Sequence, residues 1–84
     1  MATFKTIVED VEIVIKTNST SGREIVYYDG EVVSDKKSHL FLTAHSWNVK
    51  RDEQIDVYEV NVIAGVVGQG FIIRKNGIVI GHKP

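Results

Sequence analysis

The sequence predicts an all-β fold, a small antiparallel β-sandwich of two sheets with about seven strands and no helix. Valine and isoleucine together account for 23 of the 84 residues, against 2 Leu and 3 Ala. Side chains that branch at Cβ favour the pleated surface of a sheet over a helix. Apolar residues also recur at every second position, and no window of about 11 residues combines helical spacing with an absence of glycine.

Turn signals divide the chain into strand-sized pieces. Asp29-Gly30 and Asn76-Gly77 each stand between apolar runs. This pattern is typical of a two-residue type I′ hairpin, in which both central residues need a positive φ. The polar segment 18–22, which ends in glycine, and Glu9-Asp10 predict two further turns.

Between these turns the residue pattern favours extended strands. The charged segments 35–38 and 50–53 are expected to connect strands, since charged side chains are costly to bury. A short apolar run, Thr3–Val8, opens the chain. The segments that suit strands are Val11–Lys16, Arg23–Tyr28, Glu31–Ser34, His39–Val49, Val57–Ala64, Phe71–Lys75 and Ile78–Ile80.

The length of the chain predicts one domain, residues 1–84, because two halves of this size would be too small for separate cores. The period-2 pattern then predicts which side chains face the interior. The predicted core consists of Val11, Ile13, Ile15, Ile25, Tyr27, Phe41, Trp47, Tyr58, Val60, Val62, Phe71 and Ile73.

The charge balance, the cysteine content and the lengths of the apolar runs indicate which partners and which cellular location to expect. Ten basic and 11 acidic residues nearly cancel, which argues against a nucleic-acid or anionic-membrane partner. There is no cysteine, so neither a disulfide framework nor a thiolate metal site is expected. No secretory leader and no apolar run of about 20 residues is visible, so we expect a soluble, cytoplasmic protein without a cofactor.

Several residue patterns invite a chemical interpretation, and each has a structural alternative that we favour. Glycines at 65, 68 and 70 could cradle a phosphate, but strands flank them and glycine also supplies the φ values of turns and bulges. His45 and Ser46 could form a base and a nucleophile, but adjacent strand residues point to opposite faces. Asp29 and Glu31 could form a carboxylate pair, but turn chemistry explains Asp29.

The three histidines, His39, His45 and His82, could in principle bind a metal. Even on one strand face, His39 and His45 would be about 20 Å apart at ~3.3 Å per residue, and no third ligand is evident. We therefore expect no catalytic, cofactor-binding or metal-binding residues, and the sequence leaves the location of any binding surface unknown.

Two aromatic residues suggest an alternative function. Trp47 and Tyr28, if they face outward, could form a platform for a small ligand, a sugar or single-stranded nucleic acid. Such platforms usually accompany a basic groove, and this chain offers only Lys36-Lys37 and Lys50-Arg51. Packing within the core or on a sheet face is the favoured interpretation.

The segments 11–15 and 20–31, which read VEIVI and TSGREIVYYDGE, resemble the opening of the Fas apoptotic inhibitory molecule family. Ile63-Ala64-Gly65 and 74–77 match later parts of that family's pattern, and His39-Leu40-Phe41 lies where the family has a Trp-Met-Phe-like run. The resemblance implies a β-sandwich domain of the kind that the family carries as a tandem pair. It also implies a non-enzymatic role in protein interaction, linked to resistance to Fas-triggered death, neurite outgrowth signalling or protection against protein aggregation.

The last predicted hairpin has apolar residues on both faces, in 71–73 and 78–80. A one-sided sheet needs fewer, and exposed apolar edges associate unless they are covered. We therefore expect a protein partner or self-association, with this hairpin as the candidate contact.

Overall fold

The computed structural model describes residues 2–18, 20–37, 43–64 and 68–84, with Ala2 and Ala64 described by their backbone alone. The chain forms two compact units, Met1–Thr43 and Ala44–Pro84. Each unit contains one four-stranded antiparallel sheet, and the described residues include no helix. The predicted all-β antiparallel class with two sheets is confirmed, with eight strands where about seven were expected.

The first unit is an up-and-down sheet in which each strand pairs with the next along the chain. Its strands are β1 (Ala2–Val8), β2 (Val11–Asn18), β3 (Arg23–Tyr28) and β4 (Glu31–Lys37).

The second unit repeats this order with four further strands. They are β5 (Ala44–Arg51), β6 (Gln54–Ala64), β7 (Gln69–Lys75) and β8 (Ile78–Lys83).

The two predicted type I′ hairpins are present, one in each unit. Asp29 and Gly30 have φ values of 52° and 81°, and Asn76 and Gly77 have 52° and 83°. Aspartate and asparagine tolerate the left-handed region better than most residues, and glycine adopts it without a steric penalty. The local sequence therefore fixes where β3 turns into β4 and where β7 turns into β8.

The two units also share details that the sequence did not predict. In β4, Val33 is an extra residue, since Val26 pairs with Ser34 and Tyr27 with Val32. Ile80 is the corresponding bulge residue in β8. The amide of Asp29 donates to the carbonyl of Glu12 at 3.0 Å, and the amide of Asn76 donates to that of Val57 at 2.7 Å. Positions in one unit therefore have counterparts in the other.

Each sheet buries one face more deeply than the other. In the first unit the core side chains come from the centre of the sheet, where Ile13, Ile15 and Val26 are fully buried. In the second unit the deeply buried apolar side chains are Trp47, Tyr58, Val60, Val62, Phe71 and Ile73. Removing such side chains from water is worth roughly 1.5–3 kcal/mol each, so these rows stabilise the sheet to which they belong.

The predicted core is correct for Ile13 and Ile15 of β2 and for the second unit but wrong for β3. Ile25 and Tyr27 are half-buried, and Val26 occupies the interior instead. The reason is the pairing register, in which Val26 lies opposite Ile15 on the buried side of β2. A shift of one residue reverses the face of every side chain in a strand. Val11 is also only half-buried, and Phe41 lies outside the described residues.

Several strand limits differ from the predictions. β4 continues to Lys37, through the charged segment that was expected to end it, because its side chains remain exposed at the sheet edge. The expected connection 50–53 shortens to a two-residue turn at Asp52-Glu53, and β6 begins at Gln54 instead of Val57. Of the predicted strand His39–Val49, the part from Ala44 is confirmed, and 39–42 lie outside the described residues. The single-domain organisation stays a prediction.

Candidate functional site

The structure separates the residues that suggested chemistry. His45 is buried in β5, and His82 is exposed in β8, while His39 lies outside the described residues. Ser46 follows His45 but is exposed, as expected for successive strand residues that point to opposite faces. Among the residues that the structure describes, no three His, Asp or Glu side chains lie together as metal ligands would.

The glycine-rich segment is described only from Gly68 onward. Gly68 has a φ of 73°, which fits the predicted role of glycine in a turn. Gly70 lies within β7, and a Cβ there would collide with the backbone carbonyl oxygen of Lys83. Gly70 is therefore required for close approach of the chain, and no helix follows it that could bind a phosphate.

The Trp47 ring, which could form an aromatic platform with Tyr28, is not accessible to a ligand at the surface. Trp47 is 8% exposed and stacks on Tyr58, with ring centroids 5.5 Å apart and planes inclined by 9°. The two residues face each other across β5 and β6. Tyr28, at the end of β3, is half-buried. Trp47 thus contributes to packing within the second unit.

A buried carboxylate lies close to this stack. The side chain of Asp56 is 3% exposed, and two cations approach its Oδ2, with Lys75 Nζ at 3.8 Å and Arg51 Nε at 3.9 Å. Its Oδ1 accepts hydrogen bonds from Gln54 Nε2 at 2.9 Å and Asn76 Nδ2 at 3.1 Å. Four side chains therefore compensate one buried charge, as a buried carboxylate requires.

The hydrogen bond from Asn76 is the main reason why the pKa of Asp56 lies below its usual value. Removal from water acts in the opposite direction and raises the pKa of Asp56. Lys75, Gln54 and Arg51 act in the same direction as Asn76 and lower it. Asn76 also accepts a hydrogen bond from the amide of Val57, through Oδ1 at 2.8 Å. The arrangement fixes the β7–β8 turn to β6.

A second charged pair lies at the surface of the first unit. Arg23 donates to Asp35 from Nε at 3.0 Å and from Nη2 at 2.7 Å, which is the two-point geometry preferred by guanidinium and carboxylate. These bonds hold the pKa of Asp35 below its usual value. Both side chains are largely exposed, and such pairs contribute little to stability.

The first unit carries two neighbouring pockets, mainly on the less buried face of its sheet, that share Lys16 and Tyr27. We name them together the Tyr27 groove. Its larger part has a volume of about 370 Å³ and is lined by Lys16, Thr17, Asn18, Ser21, Arg23, Ile25 and Tyr27. A smaller part, of about 220 Å³, shares Lys16 and Tyr27 and also includes Lys5, Glu12 and Val14. Lys16 Nζ lies 5.2 Å from the centre of the Tyr27 ring, within range of a cation–π interaction.

The second unit carries an exposed apolar patch at the end of its sheet that holds the Asn76-Gly77 turn. This hairpin patch comprises exposed aliphatic side chains of β6 and β8. By the strand pairing, Ile55, Val57 and Val79 lie on one face of the sheet, and Ile78, at the tip of the hairpin, lies on the other. Ile78 is 69% exposed and Val79 is 52% exposed. The counterparts of Val57 and Ile78 in the first unit are Glu12 and Glu31, as the pairing of the strands shows.

The sequence indicates the hairpin patch only in part and does not indicate the Tyr27 groove. The apolar residues of the last hairpin were recognised, but its Phe71 and Ile73 are buried, and the exposed members come from β6 and β8. The Tyr27 groove was missed because Ile25 and Tyr27 were assigned to the core.

No known protein-family model matches the sequence, and no curated protein matches it at a significant level. Within the described ranges, no helix has the length and apolar character needed to cross a membrane.

Proposed function

We propose that this chain is a non-enzymatic protein-interaction module that associates with a second copy of itself through the hairpin patch. The observation that carries the proposal is the exposure of Ile78 and Val79 at the tip of an otherwise well-packed sheet. Large apolar side chains in a cluster at the surface mark contact sites in proteins.

The contrast between the two units supports this assignment. The same hairpin geometry carries Glu12 and Glu31 in the first unit and Val57 and Ile78 in the second. The turn therefore also forms with charged residues at these two positions, and the fold does not require Val57 and Ile78 to be apolar. Val79 differs, because its first-unit counterpart, Val32, is also apolar and exposed. An apolar surface that the fold does not require is better explained by a partner.

A second copy is the occupant that fits the patch without further assumptions. In a two-fold dimer the same surface meets itself, so it has to be self-complementary. Aliphatic side chains such as Ile55, Val57 and Val79 meet this condition, because none of them carries a charge that would face a like charge. The bulge at Ile80 interrupts a regular strand edge, so we expect side-chain packing instead of a continuous intermolecular sheet.

Analytical ultracentrifugation tests the proposal directly. The wild-type chain is expected to form dimers at micromolar concentration, and Val57→Glu with Ile78→Glu is expected to be monomeric. Val32→Glu is the matched control, because Val32 is the first-unit counterpart of Val79 and is 56% exposed. It should leave the dimer intact. A wild-type chain that stays monomeric at high micromolar concentration would refute self-association.

The resemblance to the Fas apoptotic inhibitory molecule family extends the proposal to a regulatory role. On this basis the module would act in apoptosis regulation or in protection against protein aggregation, and it would do so by binding and not by catalysis. A cytoplasmic location, without nucleic-acid or membrane contacts, belongs to the same proposal. It agrees with the near-neutral charge and with the absence of cysteine. Recovery of the dimeric chain, but not the Val57→Glu, Ile78→Glu variant, with aggregation-prone clients would support it.

The alternative function, a ligand site with Trp47 and Tyr28 as its platform, has a simple test. We expect blue-shifted tryptophan emission and weak quenching by acrylamide, because Trp47 is stacked and buried. Strong quenching that a sugar or small ligand relieves would favour the alternative over the packing role.

A further inference from the structure

We infer that the Tyr27 groove is a binding site for a small aromatic anion, a flat ring that carries a carboxylate or phosphate group. This function is independent of the hairpin patch, because every residue that lines the groove belongs to the first unit. The inference rests on the shape of the groove, the apolar surface at its base and the cations beside it.

The sheet register builds the base of the groove. Lys5, Val14 and Tyr27 lie side by side on β1, β2 and β3, and Lys16 lies beside Ile25 in the next row. Tyr27 and Ile25 are half-buried, so part of their surface remains accessible to a ligand. The larger part, at about 370 Å³, falls in the range of small-molecule sites, which are largely apolar with a few polar groups.

Two cations and one hydroxyl line the larger part of the groove, from Lys16, Arg23 and Ser21. A carboxylate, Asp35, lies next to it, opposite Ile25 on β4. Asp35 already binds the Arg23 guanidinium. In the described part of the chain, by contrast, Lys16 is in no ion pair within 4.0 Å, and its ammonium lies over Tyr27.

These features specify the chemistry of the ligand. A ring can lie against Ile25 and the open part of Tyr27, where an aromatic surface gains from stacking. An anionic group on that ring then reaches Lys16 and Ser21. Glu12 lines the smaller part of the groove, so the anion is expected at the Lys16 end and not beside Glu12.

The test is a titration of the isotope-labelled chain with phenyl phosphate, followed by two-dimensional amide NMR. We expect concentration-dependent shifts at Lys16, Ser21 and Tyr27, with smaller or no shifts at the hairpin patch. Benzyl alcohol supplies the ring without the charge, and inorganic phosphate supplies the charge without the ring. Both are expected to bind more weakly than phenyl phosphate, and this comparison requires no variant protein.

Three substitutions test the roles of Lys16 and Glu12 in binding. Lys16→Gln should weaken phenyl phosphate binding about threefold, as expected for a solvent-exposed charge pair, and Glu12→Gln should strengthen it modestly. Lys50→Gln, which removes an exposed lysine from β5 in the other unit, is the matched control and should change nothing. Equal shifts with benzyl alcohol, shifts centred on the hairpin patch or unchanged binding by Lys16→Gln would each overturn the inference.

Discussion

The side-chain amide of Asn76 donates a hydrogen bond to the carboxylate of Asp56, 20 residues earlier in the chain. The backbone amide of Asn76 also donates to the carbonyl of Val57, and its side-chain Oδ1 accepts a hydrogen bond from the backbone amide of Val57. A single turn residue thereby connects β6 to the β7–β8 hairpin at three points. The charge of Asp56 is part of this connection, so the stability of the chain should depend on pH.

We expect the contribution of Asp56 to be complete above about pH 5 and to disappear as the pH falls. The pKa of Asp56 is lowered in the folded chain, whereas an unfolded carboxyl group titrates near pH ~3.9. Below that value the unfolded chain binds the proton more readily than the folded chain, and stability is lost as the pH approaches the folded pKa. Thermal melts between pH 7 and pH 2 measure this loss.

The variant Asp56→Asn should melt at a lower temperature than the wild type at pH 7, with a smaller difference at pH 2 to 3. Asp35→Asn is a suitable control, because the pKa of Asp35 is also lowered but its pair with Arg23 is exposed. Its effect on the melting temperature should be much smaller. A constant difference between Asp56→Asn and wild type at all pH values would contradict the assigned role of the charge.

Replacement of Val60 by Asp should unfold the chain at 25 °C. Val60 is fully buried between its neighbours on β5 and β7, and an unpaired charge at such a position costs more than about 4 kcal/mol. Circular dichroism melts provide the measurement.

The control for Val60→Asp is Ile55→Asp on the same strand. Ile55 is 60% exposed and pairs with Lys50, so the new carboxylate would face a cation across the strands. We expect a change within about 1 kcal/mol. Similar melts for the two variants would show that the two faces of β6 have been assigned wrongly.

The two hairpin glycines should respond alike to substitution. Gly30 and Gly77 both have a positive φ and open space where a Cβ would lie, so the penalty of alanine is one of backbone conformation. Gly30→Ala and Gly77→Ala should each cost about 1–2 kcal/mol. Gly70→Ala should be more damaging, because its Cβ meets the backbone of Lys83. Urea unfolding curves give the comparison.

The two units are expected to depend on each other for stability. A fragment of about 40 residues rarely buries enough surface to remain folded without disulfides, metals or a partner, and this chain has no cysteine. The separate chains 1–43 and 44–84 should therefore give poorly dispersed NMR spectra, and the whole chain should unfold in one transition. Two separate transitions, or a well-dispersed spectrum from either fragment, would show that the units are independent domains.

The turns could be predicted from sequence because their requirement is local. A type I′ turn needs two residues of positive φ, and the Asp29-Gly30 and Asn76-Gly77 pairs meet this requirement without reference to the remainder of the chain. The face of β3 could not be predicted in this way. Ile25, Val26 and Tyr27 are consecutive and all largely apolar, so alternation does not choose between them, and pairing with β2 decides the matter.

The position of Asp56 illustrates a second limit. Its alternation with Tyr58 and Val60 places it on the buried face of β6, which is a signal that sequence reasoning could have used. However, its partners come from three other parts of the sheet: Arg51 from β5, Lys75 from β7 and Asn76 from the β7–β8 turn. Only the assembled sheet shows that a carboxylate can be accommodated there.

The dependence of Asp56 on the Asn76 amide also makes the chain sensitive to chemical ageing. Loss of ammonia from an asparagine and addition of water convert its amide into a carboxylic acid, and asparagine is among the thermally labile residues. At position 76 this hydrolysis would replace the side-chain amide, a hydrogen-bond donor, by a carboxylate. The new carboxylate would face the buried carboxylate of Asp56. We expect stored samples that gain the corresponding mass at residue 76 to melt earlier than fresh protein, and an unchanged melting temperature would refute this.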